Sequence, residues 1–127
     1  MIKHIRSGSP YEDRWGFTRA VRFGDRVIVS GTAPIPPPGE EVASTPYEQM
    51  MRCGEIIRAA LKEAGVTMAD VVRTRMFVTS EEFAEDIGRA HKELFGEAMP
   101  AATMIKTQLI DPTWMVEVEA EAVVPPQ

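Results

Sequence analysis

The stretch MVEVEAEAVV, residues 115–124, leaves the chain little conformational choice. Val116, Val118, Ala120, Ala122 and Val124 alternate with Glu117, Glu119 and Glu121. Alternation at a period of two, with β-branched residues on one side, spells a half-buried strand. One face enters a core. The other carries a row of carboxylates spaced about 7 Å apart by strand geometry. The rest of the sequence has to supply what that charged face meets.

Other segments carry their own signals. Residues 1–7 alternate loosely and read as an edge strand, followed by a polar loop to Trp15. Residues 17–23 and 26–32 read as two strands joined by a tight turn at Gly24-Asp25. PIPPPGEE, residues 34–41, is a loop, because its prolines suit neither a sheet interior nor a helix middle. A helix follows. Thr45 and Glu48 have capping-box spacing, and Pro46 takes the first helical position. Met50, Cys53, Ile57, Ala60, Leu61 and Ala64 form its apolar stripe, and Gly65 ends it. Residues 71–79 read as a strand. Thr79 and Glu82 then open a second helix, with Phe83, Ile87, Ala90 and Leu94 as its stripe, running to Phe95. Strands over 101–109 and 114–124, separated by a turn at Asp111-Pro112, complete the chain.

The order β-ββ-α-β-α-β-β is that of a single α+β domain spanning residues 1–127, a mixed sheet with two helices on one face. Two helices cannot cover both faces. The remaining face, expected to hold Phe77, Met104 and Val123, calls for solvent or a second chain, and an oligomer is the economical answer.

Composition narrows the function. A net charge of −5 with scattered cations argues against nucleic acid and against an acidic membrane as partner. No long apolar run marks a leader or membrane span. A single cysteine, Cys53, permits no internal disulfide and fits a reducing, cytoplasmic setting. Cys53 lies on a helical apolar stripe and reads as a core residue rather than a nucleophile. His4 reads as a surface strand residue, and His91 either borders the core or lines a cleft as a proton carrier. No metal site is spelled out, no phosphate loop or dinucleotide motif occurs, and no cofactor is expected. Arg73, Arg75 and Lys106 alternate on strands as the glutamates do. If these strands share a face, acids and bases meet in a paired, mostly buried network, with Glu119 bonded to one of the three cations.

Five segments, in order, resemble one family: RVIVSGTAPI (26–35), the helix ending KEAGV (62–66), ADVVRTRMFVTS (69–80), MPAATMIKTQLIDP (99–112) and VEVEAEAV (116–123). The chain resembles the Rid family of reactive-intermediate deaminases, also known as endoribonuclease L-PSP or YjgF-like proteins. The resemblance implies a chorismate-mutase-like fold and a homotrimer. In that assembly the sheets pack toward the centre and small-molecule clefts lie between subunits. It also implies water activation by a glutamate of the last strand, assigned to Glu119, and hydrolysis of enamines and imines. Phe17, Arg19, Gly31, Arg75, His91, Ala102, Met104 and Lys106 are then the expected ligand-binding positions. The departures are specific. Pro100-Ala101-Ala102 stands where the deaminases have Pro-Ala-Arg, whose arginine clamps the substrate carboxylate. Met104 replaces the usual following cysteine, Phe17 lacks a tyrosine hydroxyl, and Arg19 stands where glutamine is common. Efficient 2-iminobutanoate deamination is therefore not expected. Two readings stand beside each other: a hydrolase of imine-type or other labile metabolites, and a non-catalytic module binding a small ligand in the same cleft. A ribonuclease is disfavoured by the acidic chain.

Overall fold

The alternating stretch becomes strand β6 (Val116–Val123), placed inside a six-stranded sheet of order β1-β2-β3-β6-β4-β5. The computed structural model describes residues 1–126. The remaining elements are β1 (Ile2–Ile5), α1 (Pro10–Trp15), β2 (Ala20–Phe23), β3 (Arg26–Thr32), α2 (Pro46–Ala64), β4 (Val71–Val78), α3 (Ala84–Phe95) and β5 (Ala101–Lys106). β6 is paired antiparallel with β3 on one side and β4 on the other. β4 and β5 run parallel, which the intervening α3 makes possible. Val116, Val118, Ala120 and Ala122 are buried beneath α2, so the apolar half of the alternation points into the core.

The first long helix, α2, forms where its signals place it. The Thr45 hydroxyl accepts a hydrogen bond from the Glu48 amide at 3.1 Å and donates one to the Glu48 carboxylate at 3.0 Å. Gly65 ends α2 in the left-handed conformation at φ 88°. Lys3 and Arg22 each donate to a carbonyl of the last turn, Glu63 and Ala64, both at 2.7 Å. Cations thus sit at the negative end of the helix dipole. The predicted stripe of α2 is buried throughout, Cys53 included, and burial pushes the Cys53 thiol pKa up, as an inert core residue requires.

The differences from expectation have local causes. Residues 10–15 form a short helix instead of a loop. Ser9 caps it by accepting from the Tyr11 amide, Pro10 opens it and Gly16 closes it at φ 77°. α3 starts at Ala84 because Ser80, not Thr79, caps a preceding 3₁₀ turn over Glu81–Phe83. The Thr79 amide instead donates to the Met115 carbonyl and prolongs the ladder. β5 stops at Lys106, short of residue 109, and β6 starts at Val116 rather than Trp114. There Asp111 accepts from both the amide and the hydroxyl of Thr113 in a turn. Register also moves two side chains to the other face. Met104 lies beside Met76 and Lys106 beside Val78, so both sit on the helix-bearing side of the sheet. Phe77 and Val123 lie on the open face as expected.

One buried polar side chain ties the loops to this frame. Gln49 on α2 is 1% exposed and spends its amide on three backbone groups. It donates to the carbonyls of Ala43 and Thr113, both at 2.9 Å, and accepts from the Met115 amide at 2.7 Å. Replacing it with an apolar isostere leaves buried backbone groups unpaired, at about 1–3 kcal/mol each. Gln49→Leu is expected to lower unfolding free energy by at least about 2 kcal/mol, read from urea denaturation with an unchanged slope.

Candidate functional site

The expected site residues fall into three places. On the open face, Arg75 stands opposite Glu119 and bonds it at 3.2 Å, while Arg73 approaches Glu121 at 3.4 Å and Arg26 the same carboxylate at 3.7 Å. These side chains are 24–56% exposed in the single chain, a paired, half-open rail on the face expected to meet a second chain. Lys106 takes no part in it. On the opposite face, it reaches Glu81 at 2.6 Å. Ala102 and Met104 lie with it on the exposed edge strand β5. His91 comes near them from α3, sharing a 2.8 Å hydrogen bond with Thr74, the register partner of Ala102. Burial lowers the His91 pKa, favouring the neutral imidazole.

Phe17, Arg19 and Gly31 form the third place, and Glu117 joins them. The register that pairs Arg73 and Arg75 with Glu121 and Glu119 sets Phe77 opposite Glu117, so Glu117 has no cation across the strand. On its other side β3 carries a bulge between Val29 and Thr32. Gly31 lies in that bulge with Oε2 of Glu117 against it, where a methyl group would overlap the carboxylate. Among the described residues Glu117 accepts no hydrogen bond. Burial raises its carboxyl pKa and Glu119 adds to the rise, while Arg19 opposes it.

Beneath Gly31 lies a buried ion cluster. Arg19, 7% exposed, donates to the Gly31 carbonyl at 2.7 Å and the Thr32 hydroxyl at 3.2 Å. Its other terminal nitrogen is 3.9 Å from the carboxylate of Glu12, which is 1% exposed and also holds the amide and hydroxyl of Ser7. Glu12 belongs to α1, so this cluster anchors the short helix over the bulge. Desolvation lowers the Arg19 pKa from its ordinary value, which still leaves a guanidinium charged.

Above the cluster opens a cavity of about 370 Å³. Tyr11 and Trp15 of α1, Phe17, Trp114 and Ile35 wall it, and Arg52 and Glu117 line it with Arg19. Tyr11, Trp15, Arg52, Trp114 and Glu117 were not singled out from sequence as ligand contacts. Only Ser9-Pro10 and Gly16, a cap and a stop, hinted that the aromatic residues between them share a helix. An apolar cavity with a few polar groups at one end is the form of a small-molecule site. Among the described residues no three or more His, Cys, Asp or Glu side chains are placed to hold a metal ion together. No helix there is long and apolar enough to cross a membrane.

The family model described as Endoribonuclease L-PSP matches residues 11–124. The chain belongs to the Rid/YjgF family. A Rid/YjgF structure from Mycobacterium tuberculosis, a member of the YjgF/YER057c/UK114 family, superposes at a TM-score of 0.89 with 36% identity. It covers 98% of this chain and 100% of that one. An uncharacterised protein of Streptomyces coelicolor is 38% identical over 95% of this chain and 91% of its own. The 2-iminobutanoate/2-iminopropanoate deaminase of Salmonella typhimurium is 26% identical over 84% of this chain and 86% of its own.

Gly31→Ala is expected to move the Glu117 carboxylate, the more mobile partner, out toward solvent. Stability should change by about 1 kcal/mol or less. Since burial is what raises the Glu117 pKa, its titration by carbon NMR should shift downward. An unmoved midpoint would place the carboxylate elsewhere.

Proposed function

We propose that this Rid/YjgF protein hydrolyses C=N bonds of small metabolites in the cavity bounded by Phe17, Gly31 and Glu117. The observation that carries the reading is Glu117: a partly buried carboxylate without a hydrogen-bond partner, at the polar end of an aromatic cavity. Unspent basicity of that kind suits a group that takes a proton from water. Water oxygen would add to the imine carbon as Glu117 accepts its proton. Glu117 returns that proton to nitrogen; the hydroxyl proton of the resulting carbinolamine follows by the same route as its oxygen closes the carbonyl, the C–N bond breaks, and nitrogen leaves as ammonia. Glu119, the carboxylate assigned from the resemblance, is the alternative base, but it already holds Arg75. A ligand-holding module without catalysis uses the same cavity and is the second reading. Ala102, Met104, Lys106 and His91 remain candidate contacts from a neighbouring subunit, since one chain keeps them away from the cavity. All six residues of edge strand β5 are exposed, which supports a homotrimer in which that edge completes the cleft. Ala102 offers no charge to a carboxylate, so 2-iminobutanoate should be a poor substrate. The family's ribonuclease label is not carried over, because most cations here are spent on acids or carbonyls. A buried free cysteine supports a cytoplasmic setting.

Glu117→Gln is expected to cut imine hydrolysis about 10²- to 10⁴-fold, and Glu119→Gln by less than about tenfold. Imine would be supplied by an amine-oxidising enzyme and its loss followed by trapping with semicarbazide. The acid limb of kcat/KM should lie above the ordinary Glu range of about 4.3 and vanish with Glu117→Gln. Stability carries a matching sign. A raised carboxyl pKa means that the native state binds protons more readily than the unfolded chain, so stability falls as pH climbs through that raised pKa. Glu117→Gln should remove that fall. Loss of activity in Glu119→Gln with Glu117→Gln unaffected would reverse the assignment.

Sedimentation equilibrium at micromolar concentration should return three chain masses. A monomer would leave the β5 edge without the partner proposed here.

A further inference from the structure

The charges lining the cavity are unequal in what they have left to offer. Arg19 already serves the Gly31 carbonyl, the Thr32 hydroxyl and Glu12, and its guanidinium lies 5.5 Å from the Phe17 ring centre. Arg52 gives its Nε–H to the Ile35 carbonyl at 2.6 Å and stands 3.8 Å from Glu55. Glu117 accepts no hydrogen bond from any described residue, whereas Arg19 leaves only its buried Nε unpartnered and Arg52 keeps its terminal nitrogens without a hydrogen bond. The walls are aromatic, with Tyr11 and Trp15 in contact at 4.8 Å between centroids. A partner's β5 edge would add no arginine clamp, because residues 101–105 are uncharged and its one cation, Lys106, is shared with Glu81.

Resting on the reading that this cavity is the ligand site, we propose a specific ligand class. The site takes a flat, apolar molecule of about one ring whose polar end is an amine- or imine-derived cation, and it discriminates against carboxylates. A cation here meets one free carboxylate and several ring faces, both of which attract it. A carboxylate meets Glu117 as a like charge, and the guanidinium ends that could clamp it are shared already, Arg19 with Gly31, Thr32 and Glu12 and Arg52 with Glu55. The aromatic walls suit a ring better than a short-chain acid, which would leave them uncovered. An iminium of an aromatic or large apolar amine fits both demands and is also a species that the proposed hydrolysis consumes.

The chain has two tryptophans, Trp15 and Trp114, and both line the cavity, so intrinsic fluorescence reports occupancy directly. Wild-type protein would be titrated with 2-phenylethylamine, 2-phenylethanol, phenylacetate and 2-aminobutanoate, with calorimetry as a second readout. The amine should bind at least about tenfold more tightly than phenylacetate, with the alcohol between them. 2-Aminobutanoate should give no change. Glu117→Gln should level amine and alcohol, and Phe17→Ala should weaken every ring probe together. Phenylacetate binding as tightly as the amine, or an amine preference that survives Glu117→Gln, overturns the ligand class. So does failure of all three ring probes to bind wild-type protein. The comparison within wild-type protein decides the matter even if a variant fails to fold. The site reading is separable. If phenylacetate leads while Phe17→Ala still weakens all ring probes, the cavity stands and only the class falls. Ring probes that bind with affinities indifferent to both variants place binding elsewhere, and the site reading falls with the inference.

Discussion

The structure depends on β6 having two different faces and two occupied edges. Its valines and alanines are buried under α2, which makes the strand part of the core. Its backbone is bonded to β3 and β4 on either side, so it cannot slide by one residue without exposing every valine and burying every glutamate. That register is held strongly and passes to the neighbours. It sets Arg75 against Glu119, Arg73 against Glu121 and Phe77 against Glu117. The candidate site exists because one glutamate of the row is denied a cross-strand cation.

A second constraint acts from below. The bulge in β3 brings Gly31 against Glu117, and Arg19 holds the Gly31 carbonyl in place while Glu12 offsets the arginine's charge. A buried pair of this kind is a weak source of net stability, since desolvating both groups costs about what their attraction returns. Its use here is positional: it joins α1, the end of β3 and the floor of the cavity into one unit. Gln49 does similar work on the far wall by fixing the backbone around Trp114 with three hydrogen bonds. Aromatic wall and polar floor are thereby held in fixed relation, as a site for small molecules requires.

The helices and β6 were legible because each signal is local. Thr45, Pro46 and Gly65 cap and stop α2 within a few residues, and the apolar stripe between them needs only a period of 3.6. The short α1 escaped notice because six residues are too few to show a period, although Ser9 and Gly16 bracketed it. Part of the cavity was also legible: Phe17, Arg19 and Gly31 were expected to meet a ligand, and the structure brings them to one cavity. Ala102, Met104 and Lys106 lie on β5, at the opposite end of the sheet from β1 and β2, so within one chain they stay apart from that cavity.

The sequence by itself determined the element types, the capped helices, the two-faced central strand and a sheet with one face left over. Each follows from spacing along the chain. It could not determine which glutamate stands free. A period of two puts Glu117, Glu119 and Glu121 on the same face and treats them alike. Only the tertiary register, with Phe77 on one side and the Gly31 bulge on the other, gives Glu117 an environment different from its neighbours. Pairing energies between strands choose that register, and alternation within a single strand carries no record of them.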